Sequence, residues 1–209
     1  MSLAHQPSIW DVAGEVALTP LAGRVSRHLL SRGAWVDHLA GWVEGSDSVL
    51  DVLLGDIGWR EDRRQMYDRE VAVPRLLRWY GAGEALPHAV LAEARAALDA
   101  HYRPELGEPF VTAGMCLYRD GRDSVAWHGD RIGRSRTEDT MVAIVSFGSP
   151  RPLLLRPVGG GESRRFTLGH GDLVVMGGSC QRTWEHCIPK TTKPVGPRVS
   201  VQFRPRGVA

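Results

Sequence analysis

From residue 110 onward the chain breaks into short β-prone runs, at 111–118, 123–128, 140–147, 152–156, 164–168, 172–176, 183–188 and 198–204, with glycine and proline between them. Runs this short bury too little apolar surface to stand alone, so about eight of them must pair into sheets. No helical pattern interleaves them, which argues against a wound parallel sheet and for a double-sheet jelly roll. Gly159, Gly160 and Gly161 make one of the turns. They are not a phosphate loop, because no Gly-Lys-Ser/Thr follows them.

The first half reads differently. Signals are mixed up to about residue 33, and a short apolar stretch, G-A-W-V-D-H-L, follows. Leu50, Leu53, Leu54 and Ile57 then recur at helical spacing behind a Ser46 or Asp47 cap, predicting a helix from about Asp47 to Ile57. A second helix is expected from about Pro87 to Tyr102, with Pro87 starting it and Leu91, Ala94 and Leu98 turned inward. The expected class is therefore α+β: a double-stranded β-helix (jelly-roll) core with N-terminal support helices and a substrate lid. No repeat or linker divides the 209 residues, a length one domain can fill. Within it, 1–57 is read as an extension with a support helix, 58–80 as the lid and 110–205 as the core.

Composition narrows the setting. Three cysteines without a C-x-x-C do not make a disulfide scaffold, and no apolar run approaches the roughly 18 residues of a membrane span. With no signal-peptide pattern at the start, the expectation is a cytoplasmic monomer with no membrane partner. The net charge of +2 does not by itself imply a polyanion. Yet every basic residue except Lys190 and Lys193 is arginine, with clusters at Arg60, Arg63, Arg64 and Arg69, at Arg131, Arg134 and Arg136, and at Arg164 and Arg165. Guanidinium groups suit phosphates, although such clusters are more often simply solvated.

Three residues carry the chemistry. His128 and Asp130 in W-H-G-D are two apart, so on one strand both side chains point the same way. His186, in R-T-W-E-H-C-I-P, shares a face with Trp184 and Ile188 and must arrive from a neighbouring strand. Two imidazoles and a carboxylate hold non-haem Fe(II) while leaving positions open for oxygen and a cosubstrate. Arg198, Ser200, Gln202 and Arg204 also share a face, the arginines about 20 Å apart at about 3.3 Å per residue. Their planar forks match the two ends of a short dicarboxylate. A zinc hydrolase with the same three ligands would leave these arginines unexplained. His170, at a turn in G-H-G-D, is given no ligand role.

These residues resemble the AlkB-type Fe(II)/2-oxoglutarate dioxygenases. The likeness runs in order through P-R-L-L-R-W-Y-G at 74–81, L-Y-R-D-G-R-D-S-V-A-W-H-G-D at 117–130, S-F-G-S-P-R at 146–151, H-G-D-L-V-V-M at 170–176, W-E-H-C-I-P-K and R-V-S-V-Q-F-R. It implies Fe(II) on His128, Asp130 and His186, with 2-oxoglutarate and O2 as cosubstrates. Arg198 would meet the distal carboxylate of 2-oxoglutarate, Arg204 would lie near its chelating end, and Tyr118 and Ser200 would flank it. The family's asparagine two residues before the tyrosine is here Cys116, a weak donor. The acidic residue two after the metal-binding aspartate is here Ile132, which cannot accept a hydrogen bond from a base amine; an etheno adduct would lose least by that change.

The implied activity is oxidative removal of alkyl groups from bases of DNA or RNA, single-stranded or flipped out of a duplex. Trp59 and Tyr67, large rings in polar surroundings, are the expected base contacts, with Arg151 positioning the strand and Trp79 and Tyr80 in the core. The alternatives are a 2-oxoglutarate-dependent hydroxylase or demethylase of protein or a small molecule, and a non-catalytic AlkB-like nucleic-acid-binding module.

Overall fold

The computed structural model describes residues 15–55, 57–66, 69–131 and 133–208, and at 63–66 and 69–72 the backbone alone. All eight runs expected beyond residue 110 are strands: β7 (Phe110–Tyr118), β8 (Val125–His128), β9 (Val142–Gly148), β10 (Arg151–Pro157), β11 (Arg164–Leu168), β12 (Asp172–Gly178), β13 (Trp184–Ile188) and β14 (Arg198–Pro205). Earlier in the chain lie β1 (Ala17–Leu18), β2 (Ser26–Leu29), β3 (Ala34–Leu39), β4 (Val43–Glu44), β5 (Arg60–Met66) and β6 (Arg69–Tyr80). The helices are α1 (Asp47–Leu54), α2 (Ala89–Leu106) and the short α3 (Cys180–Thr183).

Two antiparallel sheets face each other, with orders β11-β10-β13-β8 and β2-β3-β12-β9-β14-β7-β6-β5. The small sheet and the central β12-β9-β14-β7 of the large one form the jelly roll, and β3 with β2 and β6 with β5 widen the large sheet at either edge. The expected lid is thus a β-hairpin continuous with the sheet. Its edge strand, R-E-D-R-R-Q-M, has no apolar alternation to announce it.

The central strands of the large sheet bury both faces. Ile144 and Val174 pack inward against Leu153, Leu155 and Phe166 of the small sheet. The alternate residues Val145, Val175, Val201 and Phe203 pack outward against Leu50 and Leu53 of α1 and Leu91, Ala94 and Leu98 of α2. This explains why β9 is buried along its whole length. The helices stop and start differently from the expectation: α1 ends at Leu54, and α2 begins after His88, whose Nδ1 accepts the Val90 amide at 3.2 Å, with Pro87 outside the cap. α2 continues through Pro104 to Gly107, where φ of 78° suits glycine. Near its end the Tyr102 hydroxyl donates to Asp37 on β3 at 2.9 Å.

No described helix is long and apolar enough to cross a membrane. Leu98, fully buried between α2 and the sheet, tests the support role of the helices. Leu98→Ala is expected to cost about 2–5 kcal/mol in urea unfolding; a loss under about 1 kcal/mol would mean that α2 is not clamped on the sheet.

Candidate metal and cosubstrate site

β13 runs antiparallel to β8 with His186 directly opposite His128. Strand pairing alone therefore brings together two imidazoles distant in sequence, with ring centres 4.3 Å apart. The chain leaves β8 through Gly129, which must be glycine: a Cβ there would lie 2.8 Å from the Gln181 carbonyl oxygen and 3.2 Å from that of Trp184. Asp130 then turns back beside His128, its Oδ1 3.6 Å from Nε2. One ligand atom from each of His128, Asp130 and His186 falls within 4.8 Å of the others, and this is the group of metal-capable side chains found among the described residues.

Each ligand is held by a neighbour. The Nδ1 of His128 lies 2.9 Å from the Ala126 carbonyl oxygen. That oxygen can only accept, so Nδ1 carries the proton and Nε2 keeps its lone pair for a metal. Asp130 shares its carboxylate: Oδ1 faces His128, and Oδ2 accepts from Arg204 Nη2 at 3.0 Å and Nε at 3.3 Å. Burial acts to raise the Asp130 carboxyl, but the Arg204 guanidinium and both imidazoles prevail and hold it below the ordinary carboxylate range. Burial, followed by the repulsion of His128, pushes His186 down to about 3.

The cluster sits in a cavity with about 500 Å³ of empty volume, part of it open to solvent. Cross-strand register builds its floor in rows. Arg198 pairs with Tyr118, Ser200 with Cys116, Gln202 with Gly114 and Arg204 with Thr112. Arg198, Ser200, Gln202 and Arg204 all line the cavity, as do Cys116 and Tyr118, while Ile144, Leu153, Leu168 and Ile188 supply an apolar wall. Arg198 is 1% exposed; its Nε donates to Ser146 Oγ at 2.9 Å, and its Nη1 is buried without a partner. A buried, unsatisfied guanidinium nitrogen in a polar cavity fits an anionic ligand group. Burial lowers Arg198 and raises the Tyr118 phenol to about 12, so Tyr118 remains a donor. The amide absent at 116 has a neighbour in the same row system: Cys116 Sγ lies 3.8 Å from Gln202 Oε1.

The expected substrate contacts fare otherwise. Trp59 packs against the core, its indole donating to the Leu53 carbonyl at 3.0 Å, so it braces the end of α1. Arg151 is 1% exposed and donates to the carbonyl oxygens of Asp120, Asp123 and Pro189 at 3.0, 3.0 and 2.7 Å. It ties loops together and is not among the residues that line the cavity. Tyr67 and Ile132 lie outside the described residues. Trp79, expected in the core, is 45% exposed, whereas Tyr80 is buried as expected. Arg134 is held by Glu108 and Glu138, and Arg164 and Arg165 stand exposed on β11. Arg75, on β6, lines the cavity with a buried Nε lacking a partner; only the strand assignment of 69–80 would have placed it there.

Comparisons with known proteins agree with this geometry. Residues 33–204 match the family model of the 2OG-Fe(II) oxygenase superfamily. The human alpha-ketoglutarate-dependent dioxygenase alkB homolog 3 is 31% identical, over 98% of this chain and 76% of that protein. The DNA oxidative demethylase ALKBH2 of Arabidopsis thaliana is 33% identical, over 51% of this chain and 41% of that one. Among solved structures, OsALKBH1 superposes with a TM-score of 0.59 at 16% identity, covering 87% of this chain and all of that one, which supports the fold.

The neutral His186 has a thermodynamic signature. Between about pH 6.5 and 3 the unfolded chain takes up a proton that the folded site refuses, so stability contributed here is complete above pH 6.5 and lost as pH falls. With chelator present, urea unfolding of the wild type should weaken across this window by up to about 1.4 kcal/mol per pH unit more than that of His186→Leu. Equal slopes would mean that the imidazole is not buried in its neutral form.

Proposed function

The chain belongs to the 2OG-Fe(II) oxygenase superfamily, in its AlkB-type branch, and we propose that it removes alkyl adducts oxidatively from nucleic-acid bases. One observation carries the reading: His128, Asp130 and His186 converge at one end of a cavity in which Arg198 keeps an unpaired buried nitrogen. Fe(II), when bound there, supplies activation of O2, with 2-oxoglutarate as the electron source that leaves as succinate and carbon dioxide. The substrate class follows the relatives, one of which is named as a DNA oxidative demethylase.

The chain's own residues do the rest. His128, Asp130 and His186 would hold the ion and leave its remaining positions to ligands. Arg198 binds the distal carboxylate of 2-oxoglutarate through its free Nη1, and the protonated Tyr118 hydroxyl donates beside it. Ser200 and Cys116 line the middle of the cosubstrate's berth. Arg204 holds Oδ2 of Asp130, which leaves Oδ1 to the metal. Ile144, Leu153, Leu168 and Ile188 exclude water from the cosubstrate. The target base lies inside a stack in duplex DNA, so the protein acts on single strands or on a flipped nucleotide. The 58–80 hairpin, at the edge of the sheet that floors the cavity, serves as the lid.

The test is succinate release with Fe(II) and 2-oxoglutarate against methylated and etheno-modified oligonucleotides, single- and double-stranded. Alkylated strands should stimulate turnover, and His128→Ala should lower it by more than about 100-fold. Activity surviving that substitution contradicts the metal site, and a panel without any preference moves the substrate to a protein or small molecule. Separately, Arg198→Met should weaken 2-oxoglutarate binding to the Mn(II)-loaded protein by at least roughly thirtyfold in calorimetry. Unchanged affinity would remove Arg198 from the cosubstrate site.

A further inference from the structure

Three large apolar side chains are exposed among the described residues: Leu29, Val52 and Trp79. Leu29 lies on the far edge strand of the large sheet and Val52 on α1. Trp79 is different, because it lies on the strand row that leads to the metal end of the cavity. It pairs with Gly114, which pairs in turn with Gln202. A side chain beginning at Gly114 would meet Arg204 Nη1 at 2.9 Å, Gln202 Oε1 at 3.1 Å and Trp79 Cε3 at 3.5 Å. The edge of the indole therefore comes down beside the guanidinium that holds Asp130, across a gap left by a missing side chain. Trp79 does not line the cavity itself, but at Gly114 it stands next to Gln202 and Arg204, which do, and so borders it.

On the reading of the preceding subsection, one base enters the cavity, and its neighbours in the strand each lose a stacking face. An exposed aromatic plane at the rim offers a replacement, and such stacking tolerates any base because each presents a π-face. We propose that Trp79 is the stacking platform for a base flanking the one that enters the cavity, and that Gly114 keeps the approach to it open. The interaction favours single strands, since a flanking base in a duplex keeps its own partner and its outer stack. It also assigns to Trp79 the role that sequence reasoning gave to Trp59.

The experiment measures the affinity of the protein loaded with Mn(II) and 2-oxoglutarate for a fluorescent alkylated single strand by anisotropy. The strand is used intact and with an abasic residue on the 5′ or the 3′ side of the lesion. The wild type should lose roughly tenfold for the abasic residue on one side, Trp79→Ala should lose roughly tenfold on the intact strand, and the two losses should not multiply. Trp79→Phe should restore most of the affinity, which a merely structural role would not require. The proposal is overturned if Trp79→Ala binds the intact strand as tightly as the wild type, or if the two losses combine to roughly a hundredfold. If the wild type itself does not bind the alkylated strand, the dealkylation reading falls and takes this one with it.

Discussion

The ion pair between Asp130 and Arg204 is the interaction on which the site depends. Both side chains are largely buried, and burying two charges costs several kcal/mol before their attraction returns any of it. A pair retained under that cost fixes geometry more than it adds stability. Here it pins one carboxylate oxygen, so the other has a single direction in which to face, toward His128 Nε2. Arg204 comes from the large sheet and Asp130 from the end of the small sheet's β8, so the contact also closes the two layers at the metal end.

The layers need that closure because the space between them is unevenly filled. Over much of the sandwich, Leu155, Phe166, Val174 and Met176 meet as an apolar core, with Ile144 and Leu153 at its border with the cavity. Toward β14 and β7 the inward positions change to Arg198, Ser200, Gln202, Cys116 and Tyr118, which do not fill the gap. The outward face of the same strands remains apolar under α1 and α2. The helices thus supply burial that the cavity face cannot, and a sheet half given over to polar groups stays rigid enough to hold ligands in place.

How much was legible in sequence follows from this division. The jelly-roll strands could be read because one face of each is apolar and glycine or proline bounds them. The metal ligands could be read from their residue types and closeness in sequence, although Asp130 lies past the end of β8 and reaches His128 by the turn at Gly129 and not by strand parity; the cavity arginines could be read because Arg198 and Arg204 share parity with Ser200 and Gln202. β5 escaped because an edge strand of R-E-D-R-R-Q-M needs no apolar face, and β6 because its apolar residues come in the runs V-A-V and L-L and do not alternate; without strands there Arg75 and Trp79 had no assignable direction. Trp59 misled because its polar neighbours in sequence are not its neighbours in space: its ring lies on the core and its N–H finds the Leu53 carbonyl at 3.0 Å.

Strand position and burial alone do not sort the arginines. Arg151, Arg198 and Arg204 all sit on strands among apolar residues, and all are withdrawn from solvent. Arg151 commits both terminal nitrogens to three backbone carbonyls and keeps only Nε unpaired. Arg204 spends two on a carboxylate that must itself face a metal. Arg198 keeps Nη1 unspent on a residue that lines the cavity, where a ligand carboxylate is placed to satisfy a donor that is costly to leave unpaired. Where the unpaired nitrogen lies separates the two: Arg198 lines the cavity with a terminal Nη1 unpaired, whereas Arg151 lies outside that lining with both terminal nitrogens engaged.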